Sequence, residues 1–204
     1  MTRHGRLPWF RPEELDEEQR RCYDELLGGP RDRSVLTDAE GRLEGAFNAR
    51  LLDPPVGTAI QQLGAALRYG SRIGDRQREL VILTVAVAER CDYEWHGHVP
   101  GARRAGLSEQ QLTALRAGAP VPGLSDDDRI ACEVAAELLR DNDLCDISYA
   151  RAAAALGLAT LFDIVSLVGH YRHTALALRV WRVPLRAGDA AVFGGSHPAV
   201  EERA

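Results

Sequence analysis

The chain contains no lysine: all 25 of its basic residues other than histidine are arginine. Without a primary side-chain amine, Schiff-base catalysis and lysine-anchored pyridoxal phosphate are excluded. Paired cysteines are missing too. Cys22, Cys91, Cys132 and Cys145 are scattered with no C-x-x-C, which argues against a zinc knuckle or a compact disulfide scaffold. Cys22, Cys132 and Cys145 read as small buried hydrophobes. Nor is there an excess of positive charge. The net charge of −5, with arginines interspersed among acids, argues against nucleic acid as a partner. No apolar run reads as long enough to cross a bilayer, and the polar start MTRHGRLPWFRPEE is no signal peptide, so a cytoplasmic protein is expected.

What is present is ordinary for one globular domain: 204 residues, 45% hydrophobic and 27% charged. Helical signals dominate. RPEELDEEQRRCYDELLGG has early acids, apolar Leu15, Cys22, Tyr23, Leu26 and Leu27, and a glycine stop. A turn-rich stretch to Pro55 follows. Then VGTAIQQLGAALRYGSRIG places Val56, Ile60, Leu63, Ala66 and Leu67 on one helical stripe. Leu80–Ala88 is almost continuously apolar and rich in β-branched residues, so it fits a buried strand or a buried helix. The uninterrupted run from Asp75 and the helical neighbours favour the helix. Ser108 with Gln111 forms a capping box before a short helix, and Ser125 caps another with Ile130, Val134, Ala135, Leu138 and Leu139 inward. DISYARAAAALGL reads as a helix stopped by glycine, ATLFDIVSLVGHYRHTALALRVW as a long apolar one, and the tail as loop, frayed at its end. The expectation is an all-α, single-domain protein with strands scarce.

The chemistry gathers in ERCDYEWHGHVPGAR, residues 89–103. A turn at residues 90–92 puts Cys91 at a helix start, where free amides favour a thiolate. Glu94 and His98 are one turn apart on a shared face, and Cys91 lies three residues before Glu94. Such a face offers a thiol, a carboxyl and an imidazole to one small molecule, although Glu–His pairs at this spacing are also common solvated pairs. Pro100 is expected to loosen the helix two residues after His98. Tyr93 and Trp95 are candidate substrate contacts, or packing residues. A metal site built from Glu94, His98, His170 and His173 is short of carboxylates, since the late helix supplies only Asp163. No metal or cofactor is expected.

RQRELVILTVAVAERCDYEWHGHVPGARRAGLSEQQLTALRAG resembles the carboxymuconolactone decarboxylase family, which includes the alkylhydroperoxidase D-type proteins. The likeness extends over roughly residues 45–186, leaving residues 1–44 as an N-terminal helix and loop and 187–204 as a tail. It implies an all-helical, alkylhydroperoxidase D-like bundle and a homo-oligomer: dimer, trimer or hexamer. The peroxidase branch carries a glutamate twelve residues before the first cysteine of a C-x-x-C and a histidine four after the second. Those positions are Glu79, Cys91, Glu94 and His98 here, with Glu94 replacing the second cysteine. A carboxylate cannot resolve an oxidised thiol, so the resemblance points to the lyase and isomerase side of the family. That implies cofactor-free proton transfer on a small carbonyl- or lactone-containing substrate. His98 would carry the proton, Glu94 would be its partner, and Glu79 would relay the proton or orient the imidazole. Cys91 would line the pocket, and His170 and Tyr171 would face the same cavity or lie in the core or an interface. Glu79 could instead pair with Arg76 or Arg78. Arg68, Arg72 and Arg78 are available for a carboxylated substrate. A thiol peroxidase and a non-catalytic oligomeric binding protein are the competing readings.

Overall fold

The computed structural model describes residues 2–194, an all-α chain with one two-residue antiparallel strand pair. Contacts divide it into two units: residues 1–70 with 176–184, and residues 71–175 with 185–204. The last ten residues, where a frayed end was expected, lie outside the described residues.

The first unit opens with β1 (Arg3–His4) and β2 (Leu7–Pro8), turned at Gly5 with φ 66°. A side chain at Gly5 would collide with the carbonyl of Arg182, so the turn needs both the glycine's left-handed φ and its missing Cβ. α1 (Glu17–Gly28) starts at a complete capping box of Asp16 and Gln19. It buries Cys22, Tyr23 and Leu26 against Leu43 and Leu51. After a 3-10 turn at Arg33–Val35 come α2 (Ala46–Ala49), a 3-10 turn at Arg50–Leu52 and α3 (Pro54–Tyr69). The α3 face differs from the expected stripe. Gly57, Gln61, Gly64 and Leu67 are buried, while Val56 and Leu63 are exposed. Gly57 lies against the carbonyl of Arg50, and the Gln61 amide oxygen accepts from Arg50 at 2.6 Å and Arg31 at 2.9 Å. Close backbone approach and these hydrogen bonds set the face, not hydrophobicity.

His4 gives this unit a pH dependence. It is 2% exposed, its ring lies 4.7 Å from that of Trp9, and its Nε2 accepts from the Gly45 N–H at 3.1 Å. The Glu44 carboxylate is 3.8 Å from the same nitrogen, beyond hydrogen-bond reach. Burial holds the His4 pKa below its usual value. Asp38 opposes this and Arg42 adds to it. The unfolded chain therefore takes up the proton first: this stabilisation is complete above about pH 6.5 and is lost as pH falls toward the lower folded pKa. Calorimetry should show Tm dropping over that window, and His4→Gln, which keeps an acceptor for Gly45, should flatten the drop. Parallel curves for the two proteins would rule out His4 as the source.

In the second unit, α4 (Asp75–Ala88) is the buried hub, packed against α5 (Asp92–Arg104), α6 (Glu109–Arg116) and α7 (Asp126–Asp141). Leu80, Val81, Ile82 and Leu83 are each 0% exposed. A helix covered on all sides loses its apolar period, which is why strand and helix could not be separated by pattern. α5 runs through Pro100 to Arg104 rather than loosening after His98. Val99 and Ala102 sit in the apolar cluster with Trp95, and that packing outweighs one missing amide donor. The capping box of Ser108 and Gln111 is complete, and Ser125 caps α7 as read from the sequence.

α8 (Asp146–Val180) is broken at Gly157, where φ is 78°, so it is two helices as the glycine stop implied; its last turn belongs to the first unit. One expectation is corrected here. α8 is long and apolar enough, by length and composition, to cross a membrane. The sequence reading divides this stretch at Gly157 into a short helix and a long apolar one and finds no apolar run long enough to cross a bilayer. Ile164, Leu167, Val168, Tyr171 and Ala175 are buried in the protein, whereas Leu158, Phe162 and Val165 are exposed.

Candidate active site

α4 and α5 meet through a tight turn in which Arg90 adopts φ 49° and the Cys91 amide donates to the Ala86 carbonyl at 2.8 Å. That reversal folds α5 back along α4 and places the side chain of Glu79 against that of His98, nineteen residues away. Cys91 is the N-cap of α5, as the spacing predicted.

His98 is held between two carboxylates. Its Nδ1 lies 2.7 Å from Glu79 Oε2 and its Nε2 lies 3.5 Å from Glu94 Oε2. All three are buried, with Glu79 3% exposed. Across the short contact Nδ1–H donates to Glu79, and Nε2 faces the Glu94 carboxyl. Tyr171 from α8 stands edge-on to the imidazole with ring centroids 5.1 Å apart, and His170 stands edge-on to Tyr171 at 5.2 Å. Gly101 makes room for the arrangement. A Cβ there would sit 3.1 Å from a Glu79 carboxylate oxygen, so a larger residue would press on the group that orients His98.

Glu79, Glu94, His98, Tyr171 and His170 thus come together. Of the arginines named as alternative partners for Glu79, Arg76 pairs with Asp128 at 2.8 Å and Arg78 with Asp75 at 2.8 Å. Cys91 is buried at the start of the same helix. The two aromatic candidates go elsewhere. Trp95 lies in the apolar cluster, edge-on to Phe193 at 5.7 Å. Tyr93 takes a hydrogen bond from Arg186 Nε at 3.2 Å beneath the C-terminal segment.

That segment is a part of the site's support that spacing did not reveal. Asp92, 2% exposed, accepts from the amides of Val192 at 2.7 Å and Phe193 at 2.9 Å. Arg90 donates to the Phe193 carbonyl, and His96 Nε2 donates to the Ala190 carbonyl at 2.7 Å. The tail therefore straps the outer face of α5 while the inner face carries Glu94 and His98. The signal in the sequence is Asp92, an acid at a helix start, whose backbone partners are about a hundred residues away.

Comparison places this geometry among known folds. A protein of unknown function from Agrobacterium tumefaciens, provisionally named an antioxidant defence protein AhpD, matches with a TM-score of 0.62 and 16% identity, over 70% of this chain and 99% of its own. An uncharacterized peroxidase-related protein from Silicibacter sp. TM1040 matches with a TM-score of 0.70 and 15% identity, over 96% of this chain and 97% of its own. At such identities the likeness is one of fold. No functionally curated protein matches at comparable significance. Residues 54–137, which contain Glu79, Cys91, Glu94 and His98, match the model of the carboxymuconolactone decarboxylase family. That span runs from the start of α3 into α7, and over it the chain is similar to the carboxymuconolactone decarboxylase family.

Proposed function

We propose that this protein is a cofactor-free lyase or isomerase that moves a proton next to the carbonyl of a small ketone, β-keto acid or lactone. The observation that carries the reading is the buried imidazole between the Glu79 and Glu94 carboxylates. Glu79 fixes the tautomer, so Nε2 of His98 takes the proton from carbon. Glu94 beside it serves as the second acid or base, returning a proton at oxygen or at a neighbouring carbon. Elimination and isomerisation share this step and differ in which bond breaks next; in decarboxylation the bond to CO2 breaks first and the same pair delivers a proton to the carbon that keeps the electrons. Cys91 lines the site, and Tyr171 and His170 wall it on the α8 side. The enzyme acts in the cytoplasm as a homo-oligomer, with the exposed apolar face of α8 around Leu158, Phe162 and Val165 as the natural contact between copies.

The fold neighbours' names support a second reading, in which Cys91 reduces a hydroperoxide. The experiment separates the two. A panel of β-keto acids and unsaturated γ-lactones bearing a carboxylate is incubated with the protein in D2O and followed by proton NMR. Protein-dependent deuterium incorporation or loss of the carboxyl group, abolished by His98→Gln, is the expected result. Hydroperoxide consumption that needs Cys91 and a dithiol, with no exchange anywhere in the panel, would transfer the site to thiol chemistry.

A further inference from the structure

A concave site lies on the far side of α4 from Glu79. It is a cavity of about 580 Å³ walled by the end of α4, the end of α6 with the loop after it, and one face of α7. Thr84 and Ala88, which line it, are about 140° and 180° around the helix from Glu79 at 3.6 residues per turn. Neither Glu79, Glu94 nor His98 contributes to its wall. The volume is within the range of sites that enclose a small organic ligand.

Its chemistry is specific in three ways. The floor is aliphatic: Val87, Leu115, Val121, Leu124, Ala136 and Leu139, with no aromatic side chain in the lining. Val121, Leu124 and Cys132 form the outer layer of the apolar cluster that holds Trp95, so the floor is backed by solid core. The one thiol there stays neutral, because burial, with Asp128 nearby, pushes the Cys132 pKa up to about 12. Charge is confined to the rim. Arg129, Glu133 and Arg140 recur along α7 at i, i+4 and i+11, which puts the two arginines about 16 Å apart on one side of the helix.

The rim charges are not equivalent. Glu133 is shared by Arg129, at 3.1 Å, and Arg151. Arg140 is paired with its neighbour Asp141, which does not line the cavity. That pair is exposed and contributes little to stability, so a ligand anion can compete for the guanidinium. A long apolar trough with a cation at one end matches an elongated apolar molecule with one anionic end.

We infer that this cavity binds an aliphatic-chain carboxylate, its chain along the trough between α4 and α7 and its carboxylate on Arg140. The site is separate from the proton-transfer centre, and the inference does not depend on that centre's reaction.

Dodecanoate and its neutral counterpart dodecanol are titrated into the full-length protein by calorimetry below the aggregation concentration of the chain. Saturable binding of dodecanoate in the micromolar range is expected, with dodecanol weaker. Arg140→Gln should weaken dodecanoate about threefold to fivefold and leave dodecanol unchanged. Ala136 and Ala119 are both exposed to the cavity from opposite walls, so Ala136→Trp and Ala119→Trp fill it without disturbing the core. Each should weaken both ligands at least about tenfold with circular dichroism unchanged. His98→Gln should not alter binding. Undiminished binding to both tryptophan variants would place the ligand elsewhere and overturn the inference. So would the absence of saturable binding, which is the outcome if a second copy of the chain covers the trough. Equal affinity for acid and alcohol, insensitive to Arg140, would remove the carboxylate from it.

Discussion

His98→Gln is expected to lower turnover by about 10²- to 10⁴-fold, the range that a positioned general acid or base contributes. Glutamine is the informative replacement. His98→Ala would take a 2.7 Å partner from the Glu79 carboxylate, which is 3% exposed, and the loss could then be blamed on a destabilised core. A glutamine amide can still donate to Glu79, so Tm should stay within a few degrees of wild type while the proton carrier is gone. Glu79→Gln tests the partner. It keeps a hydrogen bond but no longer imposes one tautomer, so kcat should fall by about tenfold and the pH–rate profile should move. A residue that only packed against the ring would change stability and leave the profile in place. The readouts are steady-state kinetics across pH on the substrate identified by deuterium exchange, with thermal melts alongside. Full activity in His98→Gln would end the acid–base reading, whatever Glu79 does.

The sequence carried the local half of this site. The i, i+4 step from Glu94 to His98 and the helix start at Cys91 follow from spacing, and both stand in the structure. The Glu79–His98 contact needs the Arg90 turn to bring two helices together, and no periodicity encodes that; the resemblance to the family supplied it. Two outcomes have physical causes. On α3, counting hydrophobic letters chose Val56 and Leu63, whereas the buried face is made by Gly57, Gly64 and a hydrogen-bonded Gln61. On α5, Trp95 and Tyr93 sit one residue either side of Glu94. One is taken up by the apolar cluster around Phe193 and the other by Arg186. Both partners are in a tail with no helical pattern of its own, so nothing in the local sequence could separate substrate contacts from support.

Arg76 shows the same limit with a larger energetic consequence. Its Nε donates to Asp128 at 2.8 Å, its Nη1 to the Gly106 carbonyl at 2.6 Å and its Nη2 to Gln111 Oε1 at 3.1 Å. Gln111 in turn donates to the Pro122 carbonyl at 2.9 Å. One guanidinium therefore ties the start of α4 to the turn before α6, to α6 itself and to the start of α7. Arg76→Met is expected to destabilise the fold by about 3 kcal/mol, the low end for breaking a buried pair, because 28% of the Arg76 side chain remains exposed. For a chain of this size that lowers Tm by roughly 6–12 °C. Arg76→Lys should recover only part of the loss, since a point charge cannot satisfy three acceptors in a plane. Adding Asp128→Asn to Arg76→Met should recover some as well, by removing the buried carboxylate left without its cation. Melting curves measure all three. The same variants decide a functional point, because Arg76 is only three residues from Glu79 and was a candidate partner for it. If Arg76 serves the fold, turnover per folded molecule in Arg76→Lys, measured well below its Tm, stays within about twofold of wild type. A loss on the scale of Glu79→Gln, with a shifted pH–rate profile, would instead make Arg76 part of the proton-transfer site.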